Sequence, residues 1–257
     1  MSTNNNRQRR SVLRMLATLG TLSLVGCDRL SSSKWFKRIL GIGEHLSYST
    51  QRAMIPRKAM AQEFSEADLS PAFRSNGTSN PRDIAYQASA ANAFADWKLS
   101  VDGLVEAPRH FDLAELRRLP ARTQITRHDC VEGWSAIGKW TGVPLAEILS
   151  LVKPQAAAHF VVFHCADSMQ SDGTMPYYES IDFDDAYHPQ TILAYDLNGQ
   201  ALPTQNGAPL RVRVERQLGY KHAKYIMRIE LVESFAAIRG GKGGYWEDEG
   251  YQWYAGL

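Results

Sequence analysis

The run His159-Phe160-Val161-Val162-Phe163-His164-Cys165 constrains the fold more than any other stretch. It is the most apolar segment of the body, and its length and aromatic and β-branched content read as a buried strand. A fold that holds it must cover it. Around it, short runs alternate with turn signals. Trp97–Gly103 has a period of two and ends in Asp-Gly, a strand entering a tight turn. Thr123–Asp129, Thr191–Asp196, Leu210–Glu215 and Lys224–Ser234 are further strands, the second of them ended by Asn198-Gly199. Asp112 and Glu115 have cap-plus-glutamate spacing, with Pro120 closing that helix, and Pro144 suits the first turn of a helix over 144–151. A short helix is expected from Met60 to Asp68. The tally is an α+β, β-rich body with short helices in its connections. At 257 residues and 44% hydrophobic, the chain can bury one substantial core. It contains no GxGxxG, GxxxxGK[ST] or HExxH pattern, so phosphate-loop and zincin chemistry have no local support.

Charge divides the chain. Residues 1–58 hold 11 Lys/Arg against 2 Asp/Glu, whereas residues 59–257 hold 18 against 25. An acidic body argues against nucleic-acid binding. The basic end begins as a leader: Arg9-Arg10-Ser11-Val12-Leu13 precedes an apolar run, Met15 to Gly26, too short to span a bilayer. It resembles a twin-arginine export signal, which carries folded proteins to the periplasm. Leu24-Val25-Gly26-Cys27 resembles a lipobox, which would make Cys27 a lipidated membrane anchor, with Asp28 favouring the inner membrane; the other reading is an ordinary cleaved signal that happens to end in cysteine. The expected organisation is a signal over 1–27, a tether and N-terminal extension over 28–75, and a catalytic domain over 76–257. Within the tether, Trp35-Phe36-Lys37-Arg38-Ile39-Leu40 is either a plain linker or a short amphipathic piece able to lie on anionic lipid.

Three stretches carry chemistry. In Arg127-His128-Asp129-Cys130-Val131-Glu132-Gly133-Trp134-Ser135, a cysteine sits in polar company at a strand end, with Arg127, His128 and Lys139 as cations that would favour its thiolate. Disulfide with Cys165, catalytic thiol and metal ligand are equally open. Leu202 to Arg213, followed by Arg216, Lys221, His222 and Lys224, reads either as a cradle for a phosphorylated ligand or as a strand face with ordinary surface arginines. The aromatic tail Tyr245 to Tyr254 behind Gly240–Gly244 either caps a pocket or docks a redox partner, or it packs on its own domain.

Taken together, Arg127–Ser135, Trp140-Thr141-Gly142-Val143-Pro144-Leu145, His188-Pro189-Gln190-Thr191, Leu202-Pro203 with Asn206–Arg211, and Gly219-Tyr220-Lys221 with Lys224 resemble the molybdopterin-dependent oxidoreductases of the sulfite oxidase family. The bacterial periplasmic branch that includes the methionine sulfoxide reductase catalytic subunit is the nearest in pattern. The resemblance implies a sulfite oxidase-type molybdopterin-binding domain without haem or dimerisation domains, and molybdenum-molybdopterin as cofactor. By the same resemblance Cys130 gives its thiolate to molybdenum and Glu132 stands beside the metal, while Asn76, Cys165, Asn206, Arg211, His222, Ala223 and Lys224 lie at the cofactor. Cys165 replaces a threonine of the reductase branch, which puts a direct transfer of substrate in doubt. Arg127, His128, Tyr177 and Tyr178 are candidate pocket-lining residues. The implied reaction is two-electron oxygen-atom transfer on a small sulfur- or nitrogen-containing molecule, in either direction. With no Cys-x-x-Cys-His motif, electrons are expected to pass through a separate haem partner, either a membrane haem subunit or a c-type cytochrome. The alternative is a non-catalytic periplasmic lipoprotein that keeps the fold as a binding module.

Overall fold

A computed structural model describes residues 33–54, 56, 58–170 and 172–256. The expected signal and Cys27 lie outside the described residues. The chain divides into two compact units at 55/56. Among the described residues of the first, a helix, α1 (Lys34–Met54), runs through the segment read as a tether and far exceeds the six-residue amphipathic piece expected there.

The second unit contains, in chain order, α2 (Ile84–Ala91), β1 (Lys98–Gly103), β2 (Arg109–Asp112), α3 (Leu113–Arg118), β3 (Arg122–Asp129), β4 (Ser135–Pro144), α4 (Leu145–Val152), β5 (Phe160–Ser168), β6 (Pro176–Asp182), α5 (Phe183–Ala186), β7 (Thr191–Leu197), β8 (Gln200–Ala201), β9 (Arg211–Val214), β10 (Ile226–Val232) and α6 (Tyr245–Asp248). The strands form two five-stranded sheets. One is ordered β2-β1-β10-β5-β6; the other runs β3-β4-β7-β8, with β9 also paired to β7. Among the described strands, only β1 and β10 pair in parallel. β5 is an interior strand paired to β10 and β6 along its two edges, and Val161, Val162 and Phe163 are buried in succession, so both of its faces are covered as well.

Local chemistry sets the connections. The Asp112 carboxylate accepts the Glu115 N–H at 2.6 Å, which starts α3 as its spacing predicts. In α4, Leu145, Ile148, Leu149 and Val152 recur on one face and are all buried, each contributing about 1.5–3 kcal/mol of burial. The segment Met60–Asp68 is not the expected helix. Phe64 N–H donates to Ile125 O at 2.9 Å and Glu63 bridges Thr126, so this stretch lies along β3, and only Glu66–Asp68 forms a 3-10 turn. Pairing to an available strand edge outweighs its weak helical pattern.

Candidate active site

The β3–β4 hairpin presents Cys130 at its tip. The Cys130 N–H donates to Trp134 O at 2.9 Å and Gly133 N–H donates to Cys130 O at 3.0 Å, with Gly133 at φ +85°, so the cysteine sits in a closed four-residue turn. Trp134 Nε1 donates to Glu132 Oε2 at 2.9 Å and thereby fixes that carboxylate beside the cysteine. Cys130 faces a cavity of about 150 Å³ also lined by Asn76, Glu132, Asp167, Tyr177, Tyr220, His222, Lys224, Trp246 and Tyr251. A second cleft of about 830 Å³ shares Gly77, Thr78 and Met169 with it and carries Cys165 on its wall.

The expected site residues therefore fall into three groups. Asn76, Cys130, Glu132, His222 and Lys224 meet at the smaller cavity; Cys165 lines the larger. Asn206, Arg211 and Ala223 line neither. They form the layer behind Lys224: a side chain on Gly207 would meet Lys224 Cβ at 3.0 Å and Arg211 Cβ at 3.3 Å, and Ala223 belongs to the apolar core. Cys130 and Cys165 are both free and buried, so no disulfide joins them.

Charge at the cysteine differs from the expectation. Arg127 is turned outward and paired with Asp129 at 2.9 Å, Lys139 is paired with Glu66, and His128 is buried and accepts from Arg213 Nη1 at 2.9 Å through Nδ1. The His128 imidazole is held far below its usual value, first by burial and then by Arg213. None of the three acts as the cation that the sequence suggested. Burial pushes the Cys130 thiol up, opposed by Arg74 and Lys224. Of the other lining candidates, Tyr177 faces the cavity and donates to Tyr220 O at 2.6 Å, while Tyr178 points to the opposite side of β6 and donates to Asp248 at 2.5 Å. Strand alternation separates the two neighbours.

The basic stretch is no exposed face. β9 is buried throughout, and Arg211 and Arg213 are fully inaccessible, stacked over the Trp140 ring at 5.0 and 4.5 Å. Most of its cations are neutralised inside the protein: Arg213 by Glu215 at 2.6 Å, Arg216 by Asp185 at 2.6 Å, and Lys221 by Glu179 and Glu247. Arg211 and Lys224 differ. Arg211 donates to the carbonyls of Asn206 and His222, and Lys224 to those of Asn76 and Thr78. Burial and the nearby Arg211 lower Lys224 to about 7, and burial with Arg213 lowers Arg211 to about 9. Arg211 Nε and Asn206 Nδ2 are buried donors without a protein partner. Two desolvated cations and two unused N–H donors make a donor set suited to an anion. A soft thiol and Lys224 on the smaller cavity, the donors of Arg211 and Asn206 behind Lys224, and an adjoining cleft of about 830 Å³, within the roughly 300–1,000 Å³ of small-molecule sites, fit a molybdenum-molybdopterin group.

Several wall residues had no clear sequence signal. Asp167, raised to about 6 by burial, follows Cys165 by two positions on β5, and the strand period could have found it. Trp246 and Tyr251 come from the aromatic tail, whose rings pack 5.3 Å apart, with Tyr251 edge-on to Tyr220 at 5.3 Å. The tail is also stitched to β6, through Trp253 Nε1 to Ser180 Oγ at 2.8 Å and Gly244 bridged to Glu179. The tail thus packs on its own domain and walls the cavity at once.

Comparison with known proteins agrees with this geometry. Residues 86–237 match the oxidoreductase molybdopterin binding domain. A chain of Azospira oryzae provisionally named protein-methionine-sulfoxide reductase subunit YedZ1 is 36% identical over 96% of this chain and 87% of its own length. The protein-methionine-sulfoxide reductase catalytic subunits MsrP of Ralstonia nicotianae and Burkholderia mallei are 44% and 41% identical over 53% of this chain, which spans only 44% of theirs. In structure, the sulfane dehydrogenase SoxCD of Paracoccus pantotrophus is similar with a TM-score of 0.50 and 22% identity, over 56% of this chain and 40% of that one. The chain belongs to the molybdopterin-binding oxidoreductases of the sulfite oxidase family, with molybdenum-molybdopterin as its cofactor.

Proposed function

We propose that this oxidoreductase works in the periplasm on the sulfur of a sulfoxide, drawing electrons from a separate haem protein. The observation that carries the substrate is the wall opposite the cysteine: Tyr177, Tyr220, Trp246, Tyr251 and Met169 offer aromatic and thioether surface, which suits a soft, weakly polar sulfur group. The reductase names of the similar chains support the same class, and their designation as subunits supports a partner.

When bound, the cofactor supplies two-electron exchange coupled to oxygen-atom transfer. Cys130 would hold its metal as a thiolate, releasing the proton that burial now keeps on the thiol. Glu132, fixed by Trp134, holds a negative oxygen at the cavity edge. Lys224 and Arg211 would meet the phosphate, and the unused donors of Asn206 and Arg211 extend the same anion site. Lys224 also ties down the Asn76–Thr78 loop, so one side chain orients both the anion site and the rim. The aromatic tail excludes water from the side facing Cys130.

Molybdenum-loaded protein tests the substrate, assayed with a reduced dye as electron donor for sulfoxide reduction and with an oxidised dye as acceptor for sulfite oxidation. Reduction of methionine sulfoxide with no sulfite oxidation supports the reading, and sulfite oxidation without sulfoxide reduction refutes it. The body's excess of Asp/Glu suits a basic cytochrome. Electron transfer should then fall steeply with salt, and a salt-independent rate would exclude a charge-steered partner.

A further inference from the structure

Among the described side chains of helix α1, four large apolar ones are exposed along one stripe. Trp35, Ile39, Ile42 and Leu46 are 58%, 50%, 61% and 67% accessible, large values for such side chains in a folded chain. At about 100° per residue these four positions fall within about 60° of one another. Lys34, Arg38 and Arg52 occupy positions along one edge of that stripe, and the helix contains four Lys/Arg against one Asp/Glu. No described helix is long and apolar enough to cross a membrane.

From this we infer that α1 is an in-plane membrane helix, which seats its apolar stripe in the interface of an anionic bilayer and sets its basic edge among the headgroups. The observations favour lipid over a protein partner for two reasons. A stripe one side chain wide, bordered by cations, has the form of an interfacial helix, whereas a groove-binding helix needs a matching concave surface. The charge complementarity extends beyond the helix, since residues 28–58, past the expected signal, carry 7 Lys/Arg against 2 Asp/Glu while residues 59–257 are acidic. An anionic surface attracts the first part and repels the second, so the lipid contact falls to the basic segment that contains α1. The inference is independent of the reaction proposed above. It is also independent of Cys27, which stands seven residues before Lys34 and is replaced in the test.

The test is vesicle flotation of the full molybdenum-loaded chain carrying Cys27→Ser, so that no acyl chain contributes. Vesicles of phosphatidylglycerol with phosphatidylcholine are compared with phosphatidylcholine alone. Binding should occur on the anionic vesicles and fall about fivefold for each basic residue removed among Lys34, Arg38 and Arg52. Ile42→Asp with Leu46→Asp should lower it about a hundredfold or more, with molybdenum content and turnover unchanged. Equal binding to both vesicle types, or no loss in the double variant, overturns the inference. So does a dimer that the double variant dissociates, because the stripe would then be a contact between copies.

Discussion

Removing the Lys221 ammonium tests how the wall of the cavity is held. Lys221 is fully buried between Glu179 and Glu247, both inaccessible, at 2.6 Å from the latter. Glu179 comes from β6 and Glu247 from α6, so the lysine joins sheet to tail. Burial and the neighbouring Glu247 hold the Glu179 carboxyl well above the usual range. In Lys221→Met, the two carboxyls face each other without a cation, and at least one must take a proton. Because the Glu179 carboxyl is already biased toward its protonated form, the cost is that of one further protonation, about 3.4 kcal/mol at pH 7 against an ordinary value near 4.5, so the variant should lose roughly 3 kcal/mol. At pH 5 the same protonation costs about 0.7 kcal/mol, and most of the loss should disappear. Glu247→Gln leaves a one-to-one pair with Glu179 and should cost only about 1 kcal/mol. Urea unfolding of loaded protein at pH 5 and pH 7, followed by far-ultraviolet circular dichroism, gives these differences. A Lys221→Met penalty below 1 kcal/mol at pH 7, or one that does not shrink at pH 5, refutes the argument that this triad secures the tail.

Other outcomes follow from the same geometry. Cys130→Ser should abolish turnover and bring metal content near zero by elemental analysis, whereas Cys165→Thr should retain both. Lys224→Met and Arg211→Met should lower cofactor content at least tenfold, since each removes a charge-assisted contact in a buried site. In cofactor-free protein, Lys224 is charged in both folded and unfolded states below about pH 7 and its burial penalty is then complete. Between there and 10.5 only the unfolded chain keeps the proton, so stability should rise with pH, and thermal melts of Lys224→Met should lack that rise. Gly142→Ala would place a methyl 2.2 Å from Leu193 O at the β4–β7 irregularity and should destabilise the fold by at least about 2 kcal/mol in the same urea assay.

The fold was legible where one local rule decided the outcome. Val161 to Phe163 announce a strand covered on both faces, Asp112 and Glu115 announce the start of α3, and Cys130 follows a strand into a turn. β4 and β6 were harder. Gly138 and Gly142 interrupt the alternation of β4, because a side chain there would strike Phe73 or the β7 backbone, and β6 is buried along most of its length, polar residues included. The cations of the 211–224 stretch were visible, but their partners were not. Asp185, Glu179 and Glu247 lie 26 to 42 residues away from the groups they neutralise, and only the folded chain shows that Arg211 and Lys224 are left to carbonyl oxygens.

The aromatic wall also has a consequence for the order in which the protein is made. Trp246 and Tyr251 leave the ribosome after every residue from Asn76 to Lys224 that would hold the cofactor. Until they emerge, the cavity in front of Cys130 lacks one side, however well the two sheets have formed. Synthesis of the tail therefore separates an early period, when the site is open to a bulky anion, from a later one, when the Lys221 triad draws the last wall across it.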